Sequence, residues 1–447
     1  MCKGNPFIPR GRRTRRNHRE FWLEEDEANK AYEISEAALI LHPNHPVFLL
    51  QKADSLVELN RLEEAKDLLD NNVFIDRIDA NYFILQSEIF IKLNKFEEAK
   101  SILLDAIEIC EEEMDNLYLQ LADVYELEED YANVLHYLKK SIEENVENEE
   151  AFNRLWFCVE LTETHRESVE FHHLILEEHP YCINAWYNIS HAYSNLGEKD
   201  KAIEALEYVI AIDENFDIAY LDCAELYFEK ELYEKALDYY LEAEKIFKQH
   251  KDTYCNIGMC YFFLDDQIKA RTFFRKAIAQ DNEYAEAYFR IAISYRKEHK
   301  NAQAEESFLK AISLDDTNII YWQFGADFYI EMEDYEKSNV FLLNIISQSN
   351  SSVSSWVNMA MNHFNMGNFD EALETLDLLD DIHPNIYYAK CSRFLLLYRM
   401  ERMTEALALL NDVLAEDNSF IEIIFEHLPD AINNAAIREI IEIHSNK

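Results

Sequence analysis

Five histidines crowd one stretch of the chain, His165, His172, His173, His179 and His191, and eight cysteines stand at positions 2, 110, 158, 182, 223, 255, 260 and 391. Imidazoles and thiolates are common metal ligands, bases and nucleophiles, so any chemistry would be built first from these. Their spacing argues against it. His165, His172 and His179 are seven residues apart, roughly 10 Å along a helix, too far to share one ion. Folding could bring His172 or His173 near His191, but packed or solvated histidines fit the pattern better. The cysteines form no Cys-x-x-Cys pair and no dense framework, which fits thiols serving as small apolar fillers in a reduced, cytoplasmic setting. With six glycines in the chain there is no phosphate-cradling loop. No catalytic, cofactor-binding or metal-ligating residue is expected.

The elements that carry these residues announce themselves by repetition. Counting from Asp115, a 34-residue motif returns nine times without an insertion or deletion. Its fourth position reads Tyr118, Phe152, Trp186, Tyr220, Tyr254, Tyr288, Trp322, Trp356 and then Lys390. Its twentieth reads Val134, Ser168, Ala202, Ala236, Ala270, Ala304, Ser338, Ala372 and Ala406. A fixed period of this length denotes a stack of identical supersecondary units. In Ile183 to Phe216, Trp186, Ile189, Ser190 and Tyr193 share one helical face. Gly197, fifteenth in the unit, ends that helix as a left-handed residue would. Ala202, Leu206 and Val209 then form the face of a second helix. Neither helix buries its stripe alone; two antiparallel helices and the next unit do.

Trp or Tyr at position 4, small residues at 8 and 20, Tyr at 11 (Tyr125, Tyr193, Tyr227, Tyr261, Tyr295, Tyr329) and Pro at 32 (Pro43, Pro180, Pro384) resemble the tetratricopeptide repeat. The resemblance covers residues 46–420 and implies an all-α solenoid of antiparallel helix pairs wound into a right-handed superhelix. Eleven units are expected: 46–79, 80–114 with one extra residue near Met114, then nine of 34 residues from 115. Residues 20–45 read as a partial repeat or N-terminal cap, with Ala31, Ala38 and Leu41 on a packed face. Residues 421–447 read as C-terminal capping helices, broken at Pro429, with Asp430 capping a helix that carries Ile432, Ala436 and Ile440. The chain is also similar to uncharacterised tetratricopeptide proteins of Bacteroidota, which implies no substrate.

The resemblance further implies that positions 5, 9 and 12 of each first helix face a concave groove. Its early part then presents acids, Asp54, Glu88, Asp123, Glu126 and Glu160. Its later part presents Met259, Phe262, Phe289, Ile293, Met361, Phe364, Leu395 and Tyr398. Flexible Met beside aromatic rings suits an adaptable apolar contact. A partner segment pairing basic residues with the first part and apolar anchors with the second fits this pattern; burial of the same side chains against neighbouring first helices is the competing reading. Co-chaperones of this family that grip a C-terminal carboxylate use Lys, Arg and Asn in the groove. Here those positions offer Arg296 and Asn153 alone, which argues against carboxylate-clamp chaperone binding.

The formal net charge is −45, yet residues 1–19 hold Lys3, Arg10, Arg12, Arg13, Arg15, Arg16 and Arg19 and no acid. This basic arm is expected to be disordered, and it is either an eroded cap or a stretch outside the true protein. An acidic body repels nucleic acid and anionic lipid and attracts basic proteins, although acids on solvated helix faces also serve solubility alone. No stretch of eighteen apolar residues suggests a membrane span. The expected function is a non-enzymatic protein–protein interaction scaffold or adaptor. The alternative is a regulatory or targeting subunit of an enzyme or secretion/assembly complex held in trans.

Overall fold

In the computed structural model, residues 18–71, 79–246, 250–349, 352–417 and 419–445 are described, and every regular element among them is helical. The chain divides into two units, Met1–Leu226 and Tyr227–Lys447. Most of the basic arm lies outside the described residues.

The first unit opens with helix His18–Leu41, packed on Pro46–Glu58. It runs unbroken because Glu24 to Glu36 holds neither Gly nor Pro to interrupt it. One packed position expected there fails: Leu41 is 76% exposed, whereas Ser35 is buried. Antiparallel pairs follow, such as Ala80–Lys92 with Phe96–Ile109 and Met114–Leu127 with Tyr131–Glu144. The extra residue near Met114 is absorbed between helices, where Glu113 takes a left-handed conformation. Side-chain caps start several helices: Asp79 accepts from Asn81 N, and Asn148 from Ala151 N.

The second unit repeats the arrangement, for example in Lys251–Phe263 with Gln267–Gln280, Ala285–Lys297 with Asn301–Leu314, and Ile319–Glu331 with Tyr335–Gln348. It closes with Phe420–His427, a 3-10 turn Pro429–Asn433 and helix Ala435–Ser445. The cap of that last helix is Asn434 and not Asp430: Asn434 Oδ1 accepts from Ala436 N at 3.0 Å and Ile437 N at 3.4 Å.

One local rule recurs in both units. The fifteenth position of the 34-residue period has positive φ each time, in Asn60, Asn94, Glu129, Glu163, Gly197, Glu231, Asp265, His299, Glu333, Gly367 and Glu401. That residue stops the first helix, and the second starts within two residues of it. The second helix then brings its small twentieth position and its twenty-fourth into the core: Ala65, Ala202 and Ala304 are fully buried, as are Leu69, Leu138 and Phe308. Close approach is required where Gly325 faces Phe341, because a Cβ on Gly325 would overlap that ring.

Candidate functional site

In residues 1–226 the first helices place carboxylates on successive rungs. Asp54 lies on Pro46–Glu58, Glu88 on Ala80–Lys92, Asp123 and Glu126 on Met114–Leu127, and Glu160 on Glu149–Thr162. Burial, then repulsion from Asp54, Glu58 and Asp123, pushes the Glu88 carboxyl up to about 7 against the pull of Lys92. Asp123 is pushed up to about 6, chiefly by burial, with Arg154 opposing. Asp54 is raised by burial and by Glu58. Glu88 therefore feels the acids on the rungs to either side of it.

The acidic stripe is not bare. Arg154 reaches from the next helix to Asp123 and, at 2.6 Å, to Glu126. Glu160 accepts a hydrogen bond from Asn195 Nδ2 at 2.7 Å, and His165 stands 3.9 Å away. Positions 5, 9 and 12 do not predict Arg154, which is sixth in its unit. Helical spacing supplied the available signal, since position 6 stands one residue from position 5 and three from position 9.

Beyond Glu160, Tyr187 donates to Asp222 Oδ2 at 3.0 Å, and His191 Nε2 lies 3.7 Å from the same oxygen. His191 is stacked edge-on to Tyr187 with ring centroids 4.6 Å apart, and Trp156 lies 5.5 Å away on its other neighbouring helix. The remaining histidines do other things. His172 is fully buried, with Nδ1 2.7 Å from the Ser168 carbonyl, and His173 Nε2 meets the Tyr193 hydroxyl at 2.8 Å. Among the described residues no group of three or more His, Cys, Asp or Glu could hold a metal ion.

In residues 227–447 the later first helices form a mixed cleft of about 630 Å³, lined by Phe262, Ile293, Phe324, Phe328 and Met332 together with Arg296, Lys297, His299, Asn301 and Glu331. Its rim is charged. Arg296 lies over the Phe324 ring at 4.8 Å and grips both carboxylate oxygens of Glu331, with Nε to Oε2 at 2.9 Å. Lys297 covers Phe262 at 4.8 Å and pairs with Asp265 at 2.9 Å. Phe262 and Ile293 hold groove positions in the sequence, and the structure brings them together here. Phe324, Phe328 and Met332 stand at positions 6, 10 and 14, so positions 5, 9 and 12 do not predict their contribution.

Two expected groove residues are corrected. Phe289 and Leu395 are each 6% exposed. Phe289 packs against Tyr321 and Phe324 at 4.6 and 5.2 Å between ring centroids, so the following unit covers it. Leu395 belongs to the core formed with Leu410, Val413 and Phe420. Met259, Met361, Phe364 and Tyr398 remain partly accessible.

The geometry defines a class, helical repeat proteins built of antiparallel pairs with a side-chain-rich face on each first helix. The tetratricopeptide repeat family model matches residues 80–113, 183–216, 252–284, 285–318 and 353–385, so the chain carries tetratricopeptide repeats in these stretches. Superkiller complex protein 3 of Homo sapiens is 28% identical over 179 residues, covering 37% of this chain and 11% of that protein. A tetratricopeptide repeat-containing protein of Methanocaldococcus jannaschii is 25% identical over 253 residues, covering 53% and 44%. The matched part of the chain thus spans less than half the length of either relative. Among solved structures, the C-terminal part of a tetratricopeptide repeat-containing protein from Cytophaga hutchinsonii is 13% identical with a TM-score of 0.40, covering 62% of this chain and 99% of that one. No helix among the described residues is long and apolar enough to cross a membrane.

Proposed function

We propose that this chain is a non-enzymatic, cytoplasmic scaffold or adaptor that binds a protein partner on the accessible faces of its first helices. Basic residues of the partner lie along Asp54, Glu88, Asp123, Glu126 and Glu160, and apolar anchors meet Phe262, Ile293, Met259, Met361, Phe364 and Tyr398. Eleven repeat units between 46 and 420 supply these faces, with 20–45 and 421–447 as their ends. The observation that carries the reading is the cleft at Phe262 and Ile293, where these two half-buried side chains and the exposed Met332 lie beside the buried rings of Phe324 and Phe328. Tetratricopeptide-repeat proteins typically mediate protein–protein interaction, which favours a partner over a substrate.

The test is affinity purification with mass spectrometry, followed by capture of the identified partner with Phe262→Ala combined with Phe364→Ala. Removing two anchoring rings is expected to weaken capture by about 2–4 kcal/mol, a factor of thirty or more. Unchanged capture by a folded double variant rejects the apolar half of the proposal.

A further inference from the structure

Asp222 stands in an unusual place for a carboxylate. Its side chain is 26% exposed, and burial pushes it up to about 6 with only the Tyr187 hydrogen bond opposing. It therefore still carries its charge at neutral pH, in surroundings that solvate it poorly. Among the described residues no Lys or Arg pairs with it, and Oδ1 accepts no hydrogen bond. The one basic neighbour is His191, 27% exposed and 3.7 Å distant, beyond hydrogen-bond length. Burial drives that imidazole down to about 4 despite Glu160, so it is neutral and leaves the Asp222 charge unbalanced. Around the pair stand the rings of Tyr187 and Trp156, and the buried indole Nε1 of Trp156 has no hydrogen-bond partner. A partly desolvated carboxylate without a cation, beside aromatic rings, matches a cation in both charge and ring quadrupole.

We propose that Asp222, Tyr187, His191 and Trp156 form a subsite for a lysine side chain of the partner segment. Lysine is favoured over arginine because Tyr187 already occupies Oδ2. One oxygen is left for a compact ammonium, whereas a guanidinium prefers both oxygens of a carboxylate. The inference rests on the reading that the partner presents basic residues to residues 1–226, and it adds a rung that positions 5, 9 and 12 alone do not reveal.

The test uses the full chain labelled with 5-fluorotryptophan. Five tryptophans give few fluorine resonances, and Trp156→Phe assigns the relevant one. Nα-acetyl-lysine amide is expected to shift the Trp156 resonance saturably, while Nα-acetyl-norleucine amide of similar length leaves it in place. Asp222→Asn, which keeps shape and the Tyr187 contact, is expected to weaken the lysine probe by about tenfold or more, and Asp222→Glu to restore part of it. Equal shifts with norleucine, undiminished binding to a folded Asp222→Asn chain, or tighter binding of Nα-acetyl-arginine amide each overturn the assignment. The lysine–norleucine comparison needs no variant, so it decides the matter even if Asp222→Asn unfolds. Loss of partner capture on reversing Asp54, Glu88 and Asp123, with no lysine response at Trp156, rejects the subsite and leaves the scaffold reading standing. Retained capture with a positive probe rejects Asp54, Glu88 and Asp123 as partner contacts and leaves the subsite standing.

Discussion

His172 occupies the twenty-fourth position of its repeat, where Leu69, Leu103, Leu138, Phe274 and Phe308 are fully buried in theirs. Its imidazole satisfies one nitrogen on the Ser168 carbonyl, and Nε2 has no partner. Burial holds it down to about 4, against the ordinary value of 6.5. The unfolded chain therefore binds this proton before the folded chain does. The stability at stake is intact above pH 6.5 and is lost as the pH falls towards 4, by about 2 kcal/mol at pH 5. His172→Leu is expected to raise the urea midpoint modestly at pH 7.5 and much more at pH 5.0. Equal gains at both pH values would show that this imidazole does not titrate with unfolding. Nothing in the sequence separates His172 from its neighbours until the repeat register is imposed, because a histidine reads the same in a core as on a surface. Once position 24 is assigned, its core role is legible. The Asp222 subsite is less so, because it depends on what surrounds a carboxylate rather than on residue type.

At the scale of the helix pair, the repeat is legible because packing repeats: the same small and large side chains must meet every 34 residues. Departures trace to particular residues. Helices Glu149–Thr162 and His165–Glu178 approach less closely than Met114–Leu127 and Tyr131–Glu144, and Trp156 stands where the latter pair has Ala122. The Trp156 ring meets His191 of helix Ile183–Asn195. The groove register fails at Phe289 and Leu395. Positions 5 and 9 lie at the edge of the packed stripe, and the size of the next unit's side chains decides whether they are covered. The turn at position 15 is more uniform than its sequence, since Asn, Glu, Asp and His share the positive φ of Gly197 and Gly367. A left-handed β-carbon costs about 1–2 kcal/mol, partly offset by the greater unfolded freedom of glycine. Around Gly197 no atom lies within 4 Å of the place a β-carbon would take. Gly197→Ala is accordingly expected to lower stability by about 1 kcal/mol through φ alone, measured by urea or thermal unfolding. A neutral result would mean that the chain relaxes out of the left-handed turn there.

At the scale of the whole chain, the charge of −45 has two readings that differ in where the acids matter. If they serve solubility, any acid is equivalent; if they steer a basic partner, those on the first helices dominate. Long-range attraction depends on total charge and is screened over about 10 Å at 0.1 M salt, whereas contact depends on place. Reversal of Asp54, Glu88 and Asp123 to Lys changes the formal charge by the same amount as reversal of Glu98, Asp105 and Glu108, which lie exposed on the second helix Phe96–Ile109. The first triple is expected to reduce capture of the partner at least tenfold and to flatten its dependence on salt between about 50 and 300 mM. The second is expected to slow association by a small factor at low salt and to leave dissociation unchanged, because its acids act only through the field. Equal effects from the two triples would assign the acids to bulk charge and remove the stripe as a binding surface. Glu88 gives that comparison an internal check. Its carboxyl titrates near neutrality under the influence of Asp54, Glu58 and Asp123. Its attraction for a basic segment is present above about pH 7 and fades as the pH falls through that value.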